Sequence, residues 1–171
     1  MRYKNICEWL EQIVAEVEGE SGHFDGVVPS LSYLEDKIYS YGVFIDTNIA
    51  IENEYIDGSV DRAYYVTCSF CLPYLDDKIA STSTNDKSLD FVADVMDAVN
   101  AINLSTDESR YPTCDDDEYV LSVECLDNDP NIEEIDEQGR FAIYSFQLKI
   151  MYLDNKGVDC NCGNCANDIE E

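Results

Sequence analysis

From Ala142 to Tyr152 the chain alternates: Ala142, Tyr144, Phe146, Leu148, Ile150 and Tyr152 share one parity, while Ser145, Gln147 and Lys149 fall on the other. A period of two belongs to a strand, whose successive side chains leave opposite faces. The run 60–72 repeats the pattern, with Tyr64, Val66, Cys68, Phe70 and Leu72 on one face and Tyr65, Thr67, Ser69 and Cys71 on the other. Two strands with one apolar face each require a second layer to cover that face. Asp57-Gly58, a strong hairpin signal, stands before the second of these runs. The chain reads as extended from Gly42, so Asp57-Gly58 joins two β-rich runs, and Pro73 closes the later one. A further strand is expected over 119–126, where Tyr119, Leu121, Val123 and Cys125 share a face.

The covering layer is supplied by two segments with a different period. In 3–18, Ile6, Leu10, Ile13, Val14 and Val17 recur at helical spacing, with Glu8, Glu11, Glu16 and Glu18 mostly off that stripe. Gly19, Gly22 and Gly26 predict a loop over 19–26. In 88–103, Leu89, Val92, Met96, Val99 and Ile102 form a second stripe, and Asp90, Asp94 and Asp97 a solvated acidic edge. Asp86 or Ser88 is placed to cap that helix. Residues 27–39 fit either a short strand or a helical turn. The expectation is therefore an α+β chain, a mainly antiparallel sheet with two helices packed on one face. It forms a single domain over 1–153, followed by a polar, Cys-containing tail at 154–171.

Charge limits the function. Ten Lys and Arg against 37 Asp and Glu give a net charge of −27. Holding a phosphate backbone takes many cations, so specific nucleic-acid binding is excluded. The same argument excludes anionic lipid. What remains is solubility, a surface that stays beside DNA without holding it, or mimicry of DNA itself. Residues 115–137 are the densest part, with eleven Asp or Glu and no Lys or Arg. The first twenty residues hold no apolar run of signal-peptide length, and no stretch approaches the ~20 apolar residues of a membrane span. Made in a reducing cytoplasm, the eight Cys are expected to stay mostly as thiols.

Carboxylate pairs stay open for acid–base chemistry, but no apolar pocket, nucleophile or cofactor motif accompanies them. His23, the single histidine, sits in GESGHFDG and reads as a solvated loop residue, with neither a GxSxG elbow nor a Gly-Lys-Ser/Thr to accompany it. Cys68 and Cys71 are three apart on a strand and point to opposite faces, so they read as buried or half-buried thiols and not as a chelating pair. Cys160, Cys162 and Cys165 form one CxCxxC, short of the paired motifs of a zinc site. Asp115, Asp116, Asp117 and Glu118, or Asp127, Asp129, Glu133 and Glu134, offer carboxylates for calcium. The second set puts Ile132 where the EF-hand loop needs Gly, so solvated acidic loops are expected. Catalytic, cofactor-binding and metal-binding residues are thus expected to be none, and the chain is not expected to be an enzyme.

The order of these elements resembles a family of small bacteriophage proteins, the tail terminators or minor capsid proteins of long-tailed phages. In that family a "YSI"-like strand follows an N-terminal helix, and a "YVDGS..R"-like hairpin comes next. Tyr39-Ser40-Tyr41 occupies the first place, and Tyr55-Ile56-Asp57-Gly58-Ser59 with Arg62 the second. Residues 136–155 are similar to the family's last strand and the Arg before it. The resemblance spans roughly residues 5–155. The thiol-rich tail and the length of the 73–88 connection depart from it.

The resemblance implies a ring, usually a hexamer, seated on the last ring of the tail tube. Such a ring ends tube polymerisation and presents the surface that docks the DNA-filled head. The implied partners are copies of the chain itself, the major tail tube protein and a head-tail connector or neck protein, all within the virion. DNA passes through the channel without specific binding, which an acidic lumen favours. The alternatives are a head-completion or neck protein and an acidic DNA-mimic inhibitor of a host DNA-binding protein. Clustering of the acids in loops, unlike the even spacing of phosphates, argues against the mimic.

Overall fold

The computed structural model describes residues 1, 3–23, 42–74, 84–103, 107–135 and 141–155. The elements run α1 (Tyr3–Ser21), β1 (Gly42–Glu54), β2 (Val60–Pro73), α2 (Thr84–Asn103), a 3-10 turn at Glu108–Arg110, β3 (Glu118–Cys125), β4 (Asn131–Ile135) and β5 (Phe141–Asp154). The strands form one five-stranded sheet in the order β1-β2-β5-β3, with β4 also on β5, and every pair is antiparallel. The α+β architecture expected from the two periods is the one observed. The Cys-containing tail and residues 27–39 lie outside the described residues.

β5 holds the centre. One side pairs with the whole of β2, from Val60↔Asp154 to Pro73↔Phe141. The other side is shared: β3 covers Leu148–Asp154, and β4 covers Ala142–Ser145. β3 and β4 are thus one edge strand interrupted at 126–130. The start of the interruption is bridged to Gln147 of β5. Leu126 N–H donates to Gln147 O at 2.7 Å, and Gln147 N–H donates to Asp127 Oδ2 at 2.6 Å. A carboxylate stands where a strand carbonyl would otherwise accept.

The alternating side chains do what their period requires. Val66, Cys68, Phe70 and Leu72 of β2, and Tyr144, Phe146, Leu148 and Ile150 of β5, are almost fully buried. Above them lie Ile6, Trp9, Leu10, Ile13 and Val14 of α1 and Phe91, Val92, Val95 and Val99 of α2. Phe70 stacks on Phe146 at 5.9 Å between centroids and meets Phe91 edge-on at 6.2 Å. Trp9 Nε1 donates to Arg110 O at 2.8 Å, tying α1 to the 3-10 turn. Tyr64 donates to Met1 O at 2.9 Å, and the Met1 ammonium pairs with the buried Glu118 carboxylate.

Several expectations are corrected. α1 does not stop before Gly19; it continues to Ser21 and ends at Gly22, whose φ of 61° and N–H donation to Glu18 O at 2.8 Å form a left-handed cap. Glu18 is buried, not off the stripe, because it lies one turn after Val14 on the same face. Ser88 does not cap α2, which begins four residues earlier. It is buried and donates from Oγ to Pro73 O at 2.8 Å, fastening the helix to the end of β2. Residues Asn131–Ile135, expected within a solvated acidic loop, form strand β4. The Asp57-Gly58 hairpin is present: Gly58 takes a φ of 88°, and Asp57 Oδ1 accepts from Ser59 N–H and Oγ at 3.0 and 2.6 Å.

Candidate functional site

His23 is half-buried, not a freely solvated loop residue. At the end of α1, its Nε2 lies 2.8 Å from Asp94 Oδ2 and its ring meets Phe91 edge-on at 5.9 Å. The histidine fastens the end of one helix to the flank of the other. Asp94 is correspondingly engaged, while Asp90 and Asp97 are exposed on α2.

Cys68 and Cys71 leave opposite sides of β2, and both are buried. Burial pushes the Cys68 thiol well above its ordinary range, with smaller upward contributions from Cys125 and Cys7. Burial, then the charges of Asp127 and Asp97, lifts Cys125 to about 12. These thiols stay protonated and are poor nucleophiles and poor metal ligands. Cys160, Cys162 and Cys165 lie outside the described residues. Among the described residues no three His, Cys, Asp or Glu side chains converge as a metal site would require.

The acidic stretch divides into different roles. Glu118 is buried against the Met1 ammonium, and Asp127 completes the ladder to β5. Asp116, Asp117, Glu124, Asp129, Glu133 and Glu134 are exposed. Asp136 and Glu137 lie outside the described residues. The stretch is therefore largely the sheet edge itself, not a separate loop.

Two features had no single-sequence signal. On the face of the sheet away from the helices, Glu52, Tyr65 and Lys149 meet across β1, β2 and β5. Tyr65 Oη donates to Glu52 Oε1 at 2.7 Å, Lys149 Nζ lies 3.3 Å from the same oxygen, and Nζ stands 5.4 Å from the Tyr65 ring centroid. The Tyr65 hydrogen bond and then Lys149 hold the Glu52 carboxyl below its ordinary range. Burial pulls Lys149 down, but hydrogen bonds to Glu52 and Tyr65 more than offset it, leaving the amine raised. A shallow cleft of about 130 Å³ beside them is lined by Asn48, Thr67, Leu126 and Gln147, among others.

The second feature is where apolar side chains meet solvent. The large ones exposed among the described residues are Ile49, Ile51, Tyr55 and Ile56 on the β1–β2 hairpin, and Tyr119, Leu121, Leu126, Ile132 and Ile135 along β3 and β4. None lies on α1 or α2. Among the described residues, exposed large apolar side chains thus fall on the two opposite edges of the sheet, the place where one protein most readily meets another. No protein-family model matches the chain, and no curated protein matches it. Among the described residues, no helix is long and apolar enough to cross a membrane.

Proposed function

We propose that the chain is a structural virion subunit that forms a ring at the head-proximal end of a long phage tail, ending tube growth and joining tail to head. The observation that carries this reading is that, among the described residues, the exposed large apolar side chains fall on two non-equivalent edges of one sheet, in a strongly acidic chain. A ring subunit that also meets a different protein needs unlike contact surfaces on one body. The β1–β2 hairpin suits a second copy: Ile49, Ile51, Tyr55 and Ile56 are exposed there, and the Glu52 charge is offset by Lys149. The β3–β4 edge suits a protein of different charge. The acidic surface lets DNA pass without adhering, because phosphate binding needs cations, and the 10 Lys and Arg are outweighed by 37 Asp and Glu.

Deletion of the gene in the phage tests the proposal. Expected are heads packed with DNA, no infectious particles, and unattached tails of abnormal and variable length. Attached tails of normal length would refute termination. Unattached tails of normal length would move the protein to the head side of the joint, as a neck protein.

A further inference from the structure

We infer that the β4 edge is a docking site for an extended, basic segment of another protein, added as a further strand to the sheet. The inference deepens the functional reading by naming the chemistry of its non-self partner, and rests on that reading only for where the partner sits.

The backbone supplies the template. β4 pairs with β5 on one side only, all five of its residues are exposed, and its other side meets no strand among the described residues. The neighbouring end of β3 is different: Cys125 N–H donates to Asn100 Oδ1 of α2 at 3.1 Å, so a helix side chain closes that edge. Beyond the break, β4 has no strand on its outer side among the described residues.

The side chains specify the strand that fits. A bulge between Ile132 and Glu134 sets Ile132 opposite Tyr144 and Ile135 opposite Ala142. Tyr144 and Ala142 both belong to the buried face. The two isoleucines thus share that side of the sheet, although three residues apart, and are 40% and 44% exposed. Glu134, opposite Ile143, faces the other side, and Glu133 is exposed at the bulge. A complementary strand carries apolar residues towards Ile132 and Ile135 and Lys or Arg towards the glutamates. Charge selects against a second copy. No Lys or Arg occurs between Arg110 and Arg140. The other edge strand among the described residues, β1, has none from Gly42 to Asp61 but includes Glu52 and Glu54. Acid against acid opposes self-pairing at β4, while a basic strand is attracted.

The test uses the full chain and a nine-residue blocked peptide alternating Lys with Val. Amide resonances identify where it binds. The expected shifts concentrate on Asn131–Ile135. Affinity should fall more than tenfold when the central Val of the peptide becomes Pro, which removes a ladder donor. It should fall more than tenfold again with the exposed pair Glu133→Lys/Glu134→Lys, while Asp90→Lys/Asp97→Lys on α2 changes it less than threefold. Added salt should weaken binding. Equal binding of the Pro peptide, or equal loss with the α2 variant, would reduce the effect to unspecific charge attraction and overturn the inference. No binding also overturns it, as does self-association through β4 that strengthens with salt. A normal deletion phenotype, by contrast, defeats the virion reading and leaves the peptide result standing.

Discussion

Cys68 and Glu52 lie on opposite faces of the same sheet and show what environment does to an ionisable side chain. Cys68 is fully buried, so the charged thiolate is penalised and the thiol stays protonated. Iodoacetamide at about pH 8, near the ordinary thiol range, is expected to leave Cys68 unlabelled in the folded protein and to label it after denaturation. Peptide mass spectrometry reads the difference, and equal labelling in both states would contradict the buried position. Glu52 is the opposite case. Its carboxylate is held by the Tyr65 hydroxyl and by Lys149, and its pKa is lowered. A lowered carboxyl contributes stability above the ordinary value, about 4.3 for Glu. That contribution is lost as pH falls through the folded-state value. Tyr65→Phe removes the largest single cause. In a side-chain NMR titration, the midpoint of Glu52 should therefore lie below the ordinary value in the native chain and move back towards it in the variant.

At the scale of elements, two glycines three residues apart in and after α1 should respond to alanine with opposite signs. Gly19 lies within the helix, and a Cβ there meets nothing within 4 Å. Gly19→Ala should stabilise by about 0.5–1 kcal/mol, since glycine in a helix carries an entropic penalty of that size. Gly22 has equal space but a φ of 61°. Alanine in that conformation is strained, so Gly22→Ala should destabilise by about 1–2 kcal/mol. Urea denaturation measures both, and a stabilising Gly22→Ala would contradict the cap. The pair also explains why the end of α1 was not legible. Three glycines follow one another, and nothing in the residue type says which one takes positive φ. β2 and β5 were legible because each is apolar on one face along its whole length. β4 was not, because its bulge sets Ile132 and Ile135 on one face at a spacing that matches a helix better than a strand. The Glu52–Tyr65–Lys149 group spans three strands and depends on their register, which a linear reading does not contain. The acids of 115–135 were countable in advance. Their division into a buried partner, a ladder acceptor and an exposed edge was not.

At the scale of the whole molecule, charge sets the conditions under which the apolar edges can act. The described cations are largely engaged: Arg62 with Asp154, Lys149 with Glu52, Arg110 with Glu16 and Lys4 with Glu8. The exposed remainder is dominated by carboxylates, and two copies approaching through their hairpins also bring Glu54 and Asp57 together. Each close like-charge pair opposes contact by about 1 kcal/mol at 4 Å in water. Raising ionic strength from about 0.01 M to about 1 M shortens the screening length from about 30 Å to about 3 Å, removing most of that opposition while leaving apolar burial intact. Sedimentation velocity at fixed protein concentration should therefore show a larger species appearing as salt rises. Ile51→Lys and Ile56→Lys, both at exposed positions of the hairpin, should abolish the rise, while Asp90→Lys on α2 should not. An unchanged sedimentation coefficient across that range would remove the hairpin as a self-contact. The sign is the discriminating quantity: salt should promote association of the chain with itself and oppose its capture of a basic strand, so the two edges are distinguishable in one titration.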